Sequence, residues 1–362
     1  MAEQQQLDAI RARIDAIDLQ IEDLINERAR CAQAVARIKA AEGAGDVVFY
    51  RPEREAQVLQ RILLRNRGPL QSEEMARLFR EIMSACLALE QPMKIAFLGP
   101  AGTFTQAAAL KHFGHSVISV PMGAIDEVFR EVESGNADYG VVPVENSTEG
   151  VVNHTLDMFI NSPLKICGEV ELRIHHHLLS KASDIDAIRR VYSHQQSLAQ
   201  CRNWLEANLA KVERVDLRSN AEAALRASRE AGTAAIAGDL AAELYGLSKL
   251  ASNIEDEPDN TTRFLIVGRH APGRSGADKT SLLLSAPNRP GALYRLLEPL
   301  FRHRVSMTRI ESRPSRRGMW DYVFFVDVEG HGEDPELGQA LDELDAASNL
   351  MKVLGSYPRA VL

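Results

Sequence analysis

Arg28 and Lys39 stand 11 residues apart in a stretch, residues 5 to 41, that no Pro or Gly interrupts. At about 100° per residue this spacing returns both cations to within about 20° of one helix face, so they aim at one place. Farther on, Arg54 and Glu55 open a second helical stretch, and Cys86 and Glu90 lie four apart near the end of a third, sharing a face. A bundle interior holding Arg28, Lys39, Glu55 and Glu90 is a polar pocket suited to a small polyanion. On spacing alone, the alternative is a surface ion-pair network.

A second set of residues points to anions by another route. The run FLGPAGTFTQAAAL places a strand, a Gly-Pro-Ala-Gly turn, then Thr103 and Thr105 at a helix N-terminus. Free N–H groups and the positive end of the helix dipole favour a carboxylate or phosphate there. PVENSTEG puts Glu145, Asn146, Ser147 and Thr148 before another expected helix, and YSHQQSLAQC repeats the arrangement with Ser193 and His194. Singly each is a cap; three in one segment read as a divided anion site. None has the Lys-Ser/Thr ending of a nucleotide P-loop. His175, His176 and His177 invite a metal, but neighbours on a strand point to alternate faces and no three converge. Core or hinge packing is the expectation, with no metal. Cys31, Cys86, Cys167 and Cys201 are too scattered for a zinc site or disulfide framework.

The elements that must position these groups fall into three segments. A chain of 362 residues with 45% apolar and 25% charged content is a soluble globular protein of roughly two or three domains. No apolar run approaches the ~18 residues of a membrane span, and the start of the chain lacks signal-peptide features, so a cytoplasmic setting is expected. A net charge of -8 argues against a sequence-independent nucleic-acid partner. It leaves anionic small substrates open, because a site is governed by local charge.

The first segment, residues 1–92, reads as all-helical. Leu7, Ile10, Ile14, Ile17, Ile21, Leu24, Cys31, Val35 and Ile38 form a heptad-like seam in which Arg28 replaces an expected aliphatic. This first helix, about 50 Å long, is too long for one small domain to cover, which predicts a bundle completed by a second subunit. A second helix follows Pro52 to about Asn66, and Ser72 is expected to cap a third.

The second segment, residues 93–270, alternates strands (Lys94–Leu98, Ser116–Val120, Tyr139–Val144, Ile166–Glu171, Val191–Ser193, Phe264–Val267) with helices (Phe104–Phe113, Ala124–Ser134, Ser197–Asn208, Ala221–Ala227). That predicts an α/β fold with substantially parallel sheets, large enough for two lobes around a cleft. Pro272 to Gly276 then read as a flexible linker. The third segment, residues 279–357, orders its elements βαββαβ, a ferredoxin-like unit with strands at Thr280–Ala286, Ser306–Arg313, Trp320–Val328 and Met351–Ser356. A unit of this size and topology suggests a regulatory or interaction module.

The run LDAIRARIDAIDLQIEDLINERARCAQAVARIKA, with YRPEREAQVL and MARLFREIMSACLALEQ, resembles the all-helical chorismate mutase family. Carried over by position, the resemblance implies substrate contacts from Arg28, Lys39, Arg54, Glu55, Cys86 and Glu90, with Arg11 reaching in from the other subunit. The implied reaction, chorismate to prephenate, is pericyclic and needs neither nucleophile nor cofactor. Catalysis then comes from holding the dicarboxylate in its reactive shape and stabilising charge on the breaking ether oxygen. Arginines would clamp the carboxylates, Lys39 would donate to the ether oxygen and Glu55 would hold the ring hydroxyl. Bacterial relatives often place Ser and Gln where this chain has Cys86 and Glu90. An ionised Glu cannot donate a hydrogen bond, so Glu90 must be protonated to act as the glutamine does.

The middle runs, with the later DNTTRF, resemble prephenate dehydratases, which share a two-lobed periplasmic-binding-protein-like fold. That resemblance implies expulsion of the ring hydroxyl and CO2 from prephenate to leave phenylpyruvate. Thr262 matches the family's essential threonine and is the first choice for contacting the leaving hydroxyl, with water or Glu145 completing the proton relay. Thr103, Thr105, Glu145, Asn146, Ser147, Ser193, Gln200 and Arg263 are the implied binders, with a structural role as the alternative for Arg263. NRPGALYRLL and TRIESRPSR resemble the ACT regulatory domain, where Gly291, Ala292 and Leu293 with Glu311, Ser312 and Arg313 would form an L-phenylalanine site at a subunit interface. Nearly the whole chain matches in order, which implies a member of the bifunctional chorismate mutase–prephenate dehydratase (P-protein) family, inhibited by phenylalanine and assembled as a homodimer or higher homo-oligomer. The competing readings are a two-lobed amino-acid sensor with a helical arm, and a dehydratase whose arm has lost mutase activity.

Overall fold

In the computed structural model, residues 1–41, 49–285, 289–314 and 322–361 are described. The chain opens with three helices, α1 (Ala2–Ala41), α2 (Pro52–Arg65) and α3 (Ser72–Ala88). At 40 residues α1 is about 60 Å long. Its far end packs on α3, while α2 and α3 enclose a small core of Leu59, Ile62 and Ala76. The seam of α1 is left bare: Ile10 is 59% exposed and Leu24 64%. The expected cap Ser72 is instead the first helical residue; Gln71 holds the cap position without a side-chain bond, and Ser72 Oγ accepts from Asn66 Nδ2.

The middle unit has two lobes. The first contains β1 (Lys94–Leu98), α4 (Phe104–Phe113), β2 (Ile118–Met122), α5 (Ile125–Glu133), β3 (Tyr139–Asn146), β4 (Gly150–Val151), α6 (Asn153–Asn161) and β5 (Lys165–Arg173). The second contains β6 (His177–Ser180), β7 (Arg190–His194), α7 (Gln195–Gln200), α8 (Arg202–Asn208), β8 (Glu213–Leu217), α9 (Asn220–Ala227), β9 (Thr233–Ala237), α10 (Asp239–Tyr245) and β10 (Ser248–Ala251). Then β11 (Thr261–Gly268) returns to the first.

The strand orders are β2-β1-β3-β11-β5, with β4 on β3, and β10-β6-β9-β7-β8. The sheets are mixed, which corrects the expectation of largely parallel ones. The chain crosses between lobes twice, near residues 174–176 and 252–260, and β11 therefore re-enters antiparallel to both β3 and β5. Likewise β6 runs against β9 and β10.

The last unit is the expected βαββαβ: β12 (Asp278–Ser285), α11 (Ala292–Arg302), β13 (Met307–Pro314), β14 (Tyr322–Glu329), α12 (Pro335–Ala347) and β15 (Leu350–Pro358). The order β13-β14-β12-β15 is antiparallel throughout. Ala286 and Trp320, expected ends of two strands, lie outside the described residues. Period-two alternation divides β12 between two cores. Leu282 and Leu284 face α11 and α12, whereas Leu283, with Phe325, Leu354 and Tyr357, joins Val142, Val144 and Leu265 of the first lobe.

The regulatory-type sheet thus shares one core with the cleft-bearing lobe. At Gly355 the two backbones meet so closely that an added Cβ would overlap the Ile166 carbonyl. The expected flexible linker is accordingly pinned. Ser275 N and Oγ donate to the Asp278 carboxylate at 2.9 and 2.5 Å, and Gln57 Nε2 donates to Arg274 O at 3.2 Å.

Candidate active sites

Between the two lobes lies an open cleft of about 1120 Å³. Its floor is built by a strand pair: Thr262 on β11 sits opposite Asn146 on β3, and Asn146 Nδ2 donates to Thr262 Oγ1 at 2.8 Å. The same amide donates to Asn260 Oδ1 at 2.7 Å, while Asn146 Oδ1 accepts from the N–H groups of Thr148 and Glu149. Asn146 therefore shapes a side-chain-closed turn between β3 and β4. The expected helix does follow, as α6, but it begins only at Asn153 without a side-chain cap, so these residues form a turn and not its N-terminus.

One wall comes from α4. Thr103 caps it, accepting from Gln106 N at 3.4 Å and donating to Leu98 O at 3.1 Å, and Gln106 Oε1 in turn accepts from Gly102 N. Buried Thr105 follows at the second helical position. The opposite wall carries Gln196, Ser197 and Gln200 of α7 and the N-terminus of α9, capped by Ser219. Gln200 bridges the lobes by donating to Glu149 Oε1 at 3.2 Å. Its Oε1 is therefore the acceptor toward His176 Nε2 at 2.9 Å, so His176 carries its proton on Nε2. Burial holds His176 below the usual imidazole range, against the Gln200 bond, and it stays neutral.

Thr103, Thr105, Asn146, Gln200 and Thr262 thus line one cleft. Four other expected binders do not. Ser193 is fully buried beneath it, its single hydroxyl proton placed between two acceptors, Ile236 O at 2.9 Å and Asn220 Oδ1 at 3.0 Å. Ser147 bonds Thr261 in both directions along the ladder. Glu145 alternates away from Asn146 on β3 and pairs with Arg309 of β13 at 3.0 Å. Arg263 alternates away from Thr262 into a buried cluster, 2.8 Å from Glu169 and 2.7 Å from Asp327.

Sequence reasoning passed over Arg218, the only Lys or Arg lining the cleft among the described residues, together with Asn220 and Glu149, and read His176 only as core or hinge packing. The Ser219-x-x-Glu222 capping pattern is the signal that could have found the α9 wall.

The histidine run spans the first crossing between lobes. His175 Nδ1 lies 2.8 Å from Glu255 Oε1, and His176 N donates to Glu255 Oε2 at 2.9 Å, which ties this crossing to the second one. Burial pulls the Glu255 carboxyl up, but these bonds carry it net below its ordinary value. His177 pairs with Asp239 at 3.2 Å. Among the described residues no cluster of three or more His, Cys, Asp or Glu could hold a metal ion.

In the helical unit, Arg28, Lys39 and Glu90 form one electrostatic group. Burial pushes the Glu90 carboxyl up, while Lys39 and Arg28 oppose it. Cys86 is buried one turn earlier, and although α3 ends at Ala88, Gln91 N still bonds Leu87 O. Glu55 is not with them: Arg80 Nε donates to it at 3.3 Å, and burial raises its carboxyl against Arg80 and Tyr50. Arg54 and Arg11 are exposed. Arg11 precedes Arg28 by 17 residues, about 25 Å along one rigid helix, so it cannot reach its own chain's group.

In the last unit Gly291 precedes α11 with φ of 76°, a left-handed conformation that favours glycine, followed by Ala292 and Leu293. Glu311, Ser312 and Arg313 lie on β13, the sheet edge. Arg313 is held by Asp157 of α6 at 2.9 Å.

Three families match in chain order: Chorismate mutase type II over residues 10–91, Prephenate dehydratase over 95–272 and ACT domain over 280–346. The chain is 62% identical to a bifunctional chorismate mutase/prephenate dehydratase of Stutzerimonas stutzeri across the whole of both chains. It is 32% identical to that of Escherichia coli, covering 99% of this chain and 97% of the relative. Among solved structures, a prephenate dehydratase from Arthrobacter aurescens in complex with L-Phe superposes with a TM-score of 0.68 at 36% identity, covering 74% of this chain and 90% of that one. A quorum quenching acylase, GqqA, matches with a TM-score of 0.68 at 33% identity, over 74% of this chain and 98% of that one, so the fold alone does not fix the chemistry. The order of the three matched regions and the full-length identity do: the chain belongs to the bifunctional chorismate mutase/prephenate dehydratase family.

Proposed function

We propose that this chain rearranges chorismate to prephenate in its helical unit and converts prephenate to phenylpyruvate in the cleft, with L-phenylalanine acting through the ACT unit. The observation that carries the second step is the Asn146–Thr262 bond. Because Thr262 Oγ1 accepts from Asn146 at 2.8 Å, its own proton is free to point into the cleft toward a leaving hydroxyl. A threonine is a poor acid by itself, so it acts by hydrogen-bonding the departing oxygen as CO2 leaves, with water resupplying the proton. Arg218 and the N-terminal N–H groups of α4 and α9 offer partners for the two carboxylates.

For the first step, Lys39 donates to the ether oxygen and Arg28 holds a carboxylate. Glu90 donates only when protonated, which its raised pKa favours. Arg11, out of reach of its own chain's Arg28, would complete the site of a second copy. The bare aliphatic seam of α1 supports the same homodimer, since a seam of this length needs a covering helix.

No helix among the described residues is long and apolar enough to cross a membrane. The four cysteines are free, which fits the reducing cytoplasm. The test is ultraviolet absorbance: chorismate given to the purified chain should disappear with phenylpyruvate forming, and L-phenylalanine should slow the second step. Chorismate binding without turnover would favour a sensor.

A further inference from the structure

Two neighbouring rungs of the β3–β11 ladder divide their side chains between the cleft and the regulatory sheet. Thr262 faces Asn146 and Arg263 faces Glu145. Successive side chains on a strand point to opposite faces, so the first pair lies in the cleft and the second beneath it. The lower pair is held from below by the ACT unit. Glu145 Oε2 meets Arg309 Nε at 3.0 Å; Arg263 reaches Asp327 at 2.7 Å and the Tyr357 hydroxyl at 3.1 Å.

The strand that supplies Arg309 also carries Glu311 to Arg313, and Arg313 fastens it to Asp157 of α6. Directly after Arg263 the ladder slips register, so these rungs stand next to an irregularity where strand twist is easily altered. Asn146 is closed into its turn by the Thr148 and Glu149 N–H groups. Any displacement of the backbone at Glu145 therefore carries the Asn146 amide with it.

We propose that the Glu145–Arg309 ion pair is a positioning device through which strand β13 of the regulatory sheet sets the Asn146 amide, and with it the aim of the Thr262 hydroxyl. Glu145 acts here through its neighbour and does not touch substrate. The pair suits the role better than the Arg263 cluster. Its carboxylate side chain is 39% exposed and its guanidinium 15%, so it sits at the rim of the contact, where a shift of β13 breaks it without opening the core. The Arg263 and Glu169 side chains, 11% and 3% exposed, form a fixed floor. Arg309 Nη2 is buried without a hydrogen-bond partner among the described residues, so the guanidinium depends on Glu145.

The proposal rests on reading the cleft as the dehydratase site, and the test separates the two. Glu145→Arg, Arg309→Glu and the double reversal are made in the full-length chain. Each is assayed for prephenate dehydration (kcat and KM) and, on the same preparation, for chorismate mutase activity as the measure of folding. Each single variant should lower dehydratase kcat by about 10-fold with KM and mutase rate within about two-fold, and the double reversal should recover most of the loss. If a reversal variant loses both activities, Glu145→Gln, Arg309→Gln and their double replace it. A double Gln variant no worse than either single supports the pair. Single variants within two-fold of the parent chain, or losses that multiply in the double, would overturn it. A parent chain that makes no phenylpyruvate from prephenate would instead overturn the function.

Discussion

Asn146 Nδ2 and Thr262 Oγ1 are 2.8 Å apart across the β3–β11 ladder. The amide occupies one lone pair of the hydroxyl and leaves its proton for the cleft. Thr262→Val keeps the shape and removes the donor; it should lower dehydratase kcat by about 100-fold or more, with mutase activity unchanged. Thr262→Ser should retain a substantial fraction. Rates of phenylpyruvate formation from prephenate check both.

With Glu90 as the proposed donor to the ether oxygen, the mutase should be pH-sensitive. Its carboxyl is raised by burial, and Lys39 and Arg28 limit the rise. Donation to the ether oxygen needs the protonated form, which is full below the raised pKa and lost as pH climbs through it. Mutase kcat should therefore fall toward higher pH, and Glu90→Gln should give a flat profile. A mutant profile that kept the parent's slope would remove Glu90 from the mechanism.

The ion pairs of Arg263 predict a structural role and no contact with substrate. Its guanidinium sits between Glu169 and Asp327, with Lys279 also bound to Glu169 at 2.8 Å. Removing one partner of a buried ion group leaves the others uncompensated, at a cost of about 3–5 kcal/mol. Arg263→Ala should show that loss in denaturant titration, with the KM for prephenate little changed in whatever folded fraction remains. A raised KM with full stability would restore it to the binding site.

Gly355 lets the ACT sheet dock. An added Cβ would overlap the Ile166 carbonyl, so Gly355→Ala must push β15 off β5. Overpacking of this kind costs about 1–3 kcal/mol. Thermal unfolding should show the loss, and inhibition by L-phenylalanine should weaken more than basal turnover.

Local signals were well read from the sequence wherever an element carried its own punctuation. The Gly-Pro-Ala-Gly turn and the Thr103-x-x-Gln106 cap bound α4 at Phe104–Phe113 as expected. Strand β9, Thr-Ala-Ala-Ile-Ala, passed unread because alanine favours helix, and only complete burial between β7 and β6 makes it a strand. Burial does not decide which face a residue takes when a strand is covered on both sides. Arg263 and Glu145 sat in the right motifs, yet one position of alternation turned them from the cleft to the ACT sheet. Glu55 was misplaced for a similar reason: it lies one turn into a helix whose rotation is set by Arg80 on α3, a contact no local pattern announces. The α9 wall with Arg218 was missed because its residues join the cleft only across the hinge.

The two-site account is tested most directly by giving chorismate to the Thr262→Val chain and following the products with time. The account predicts that chorismate is consumed at the parent rate and prephenate accumulates one for one, with phenylpyruvate suppressed by about 100-fold. Phenylpyruvate forming at the parent rate, or chorismate left unconsumed, would contradict it.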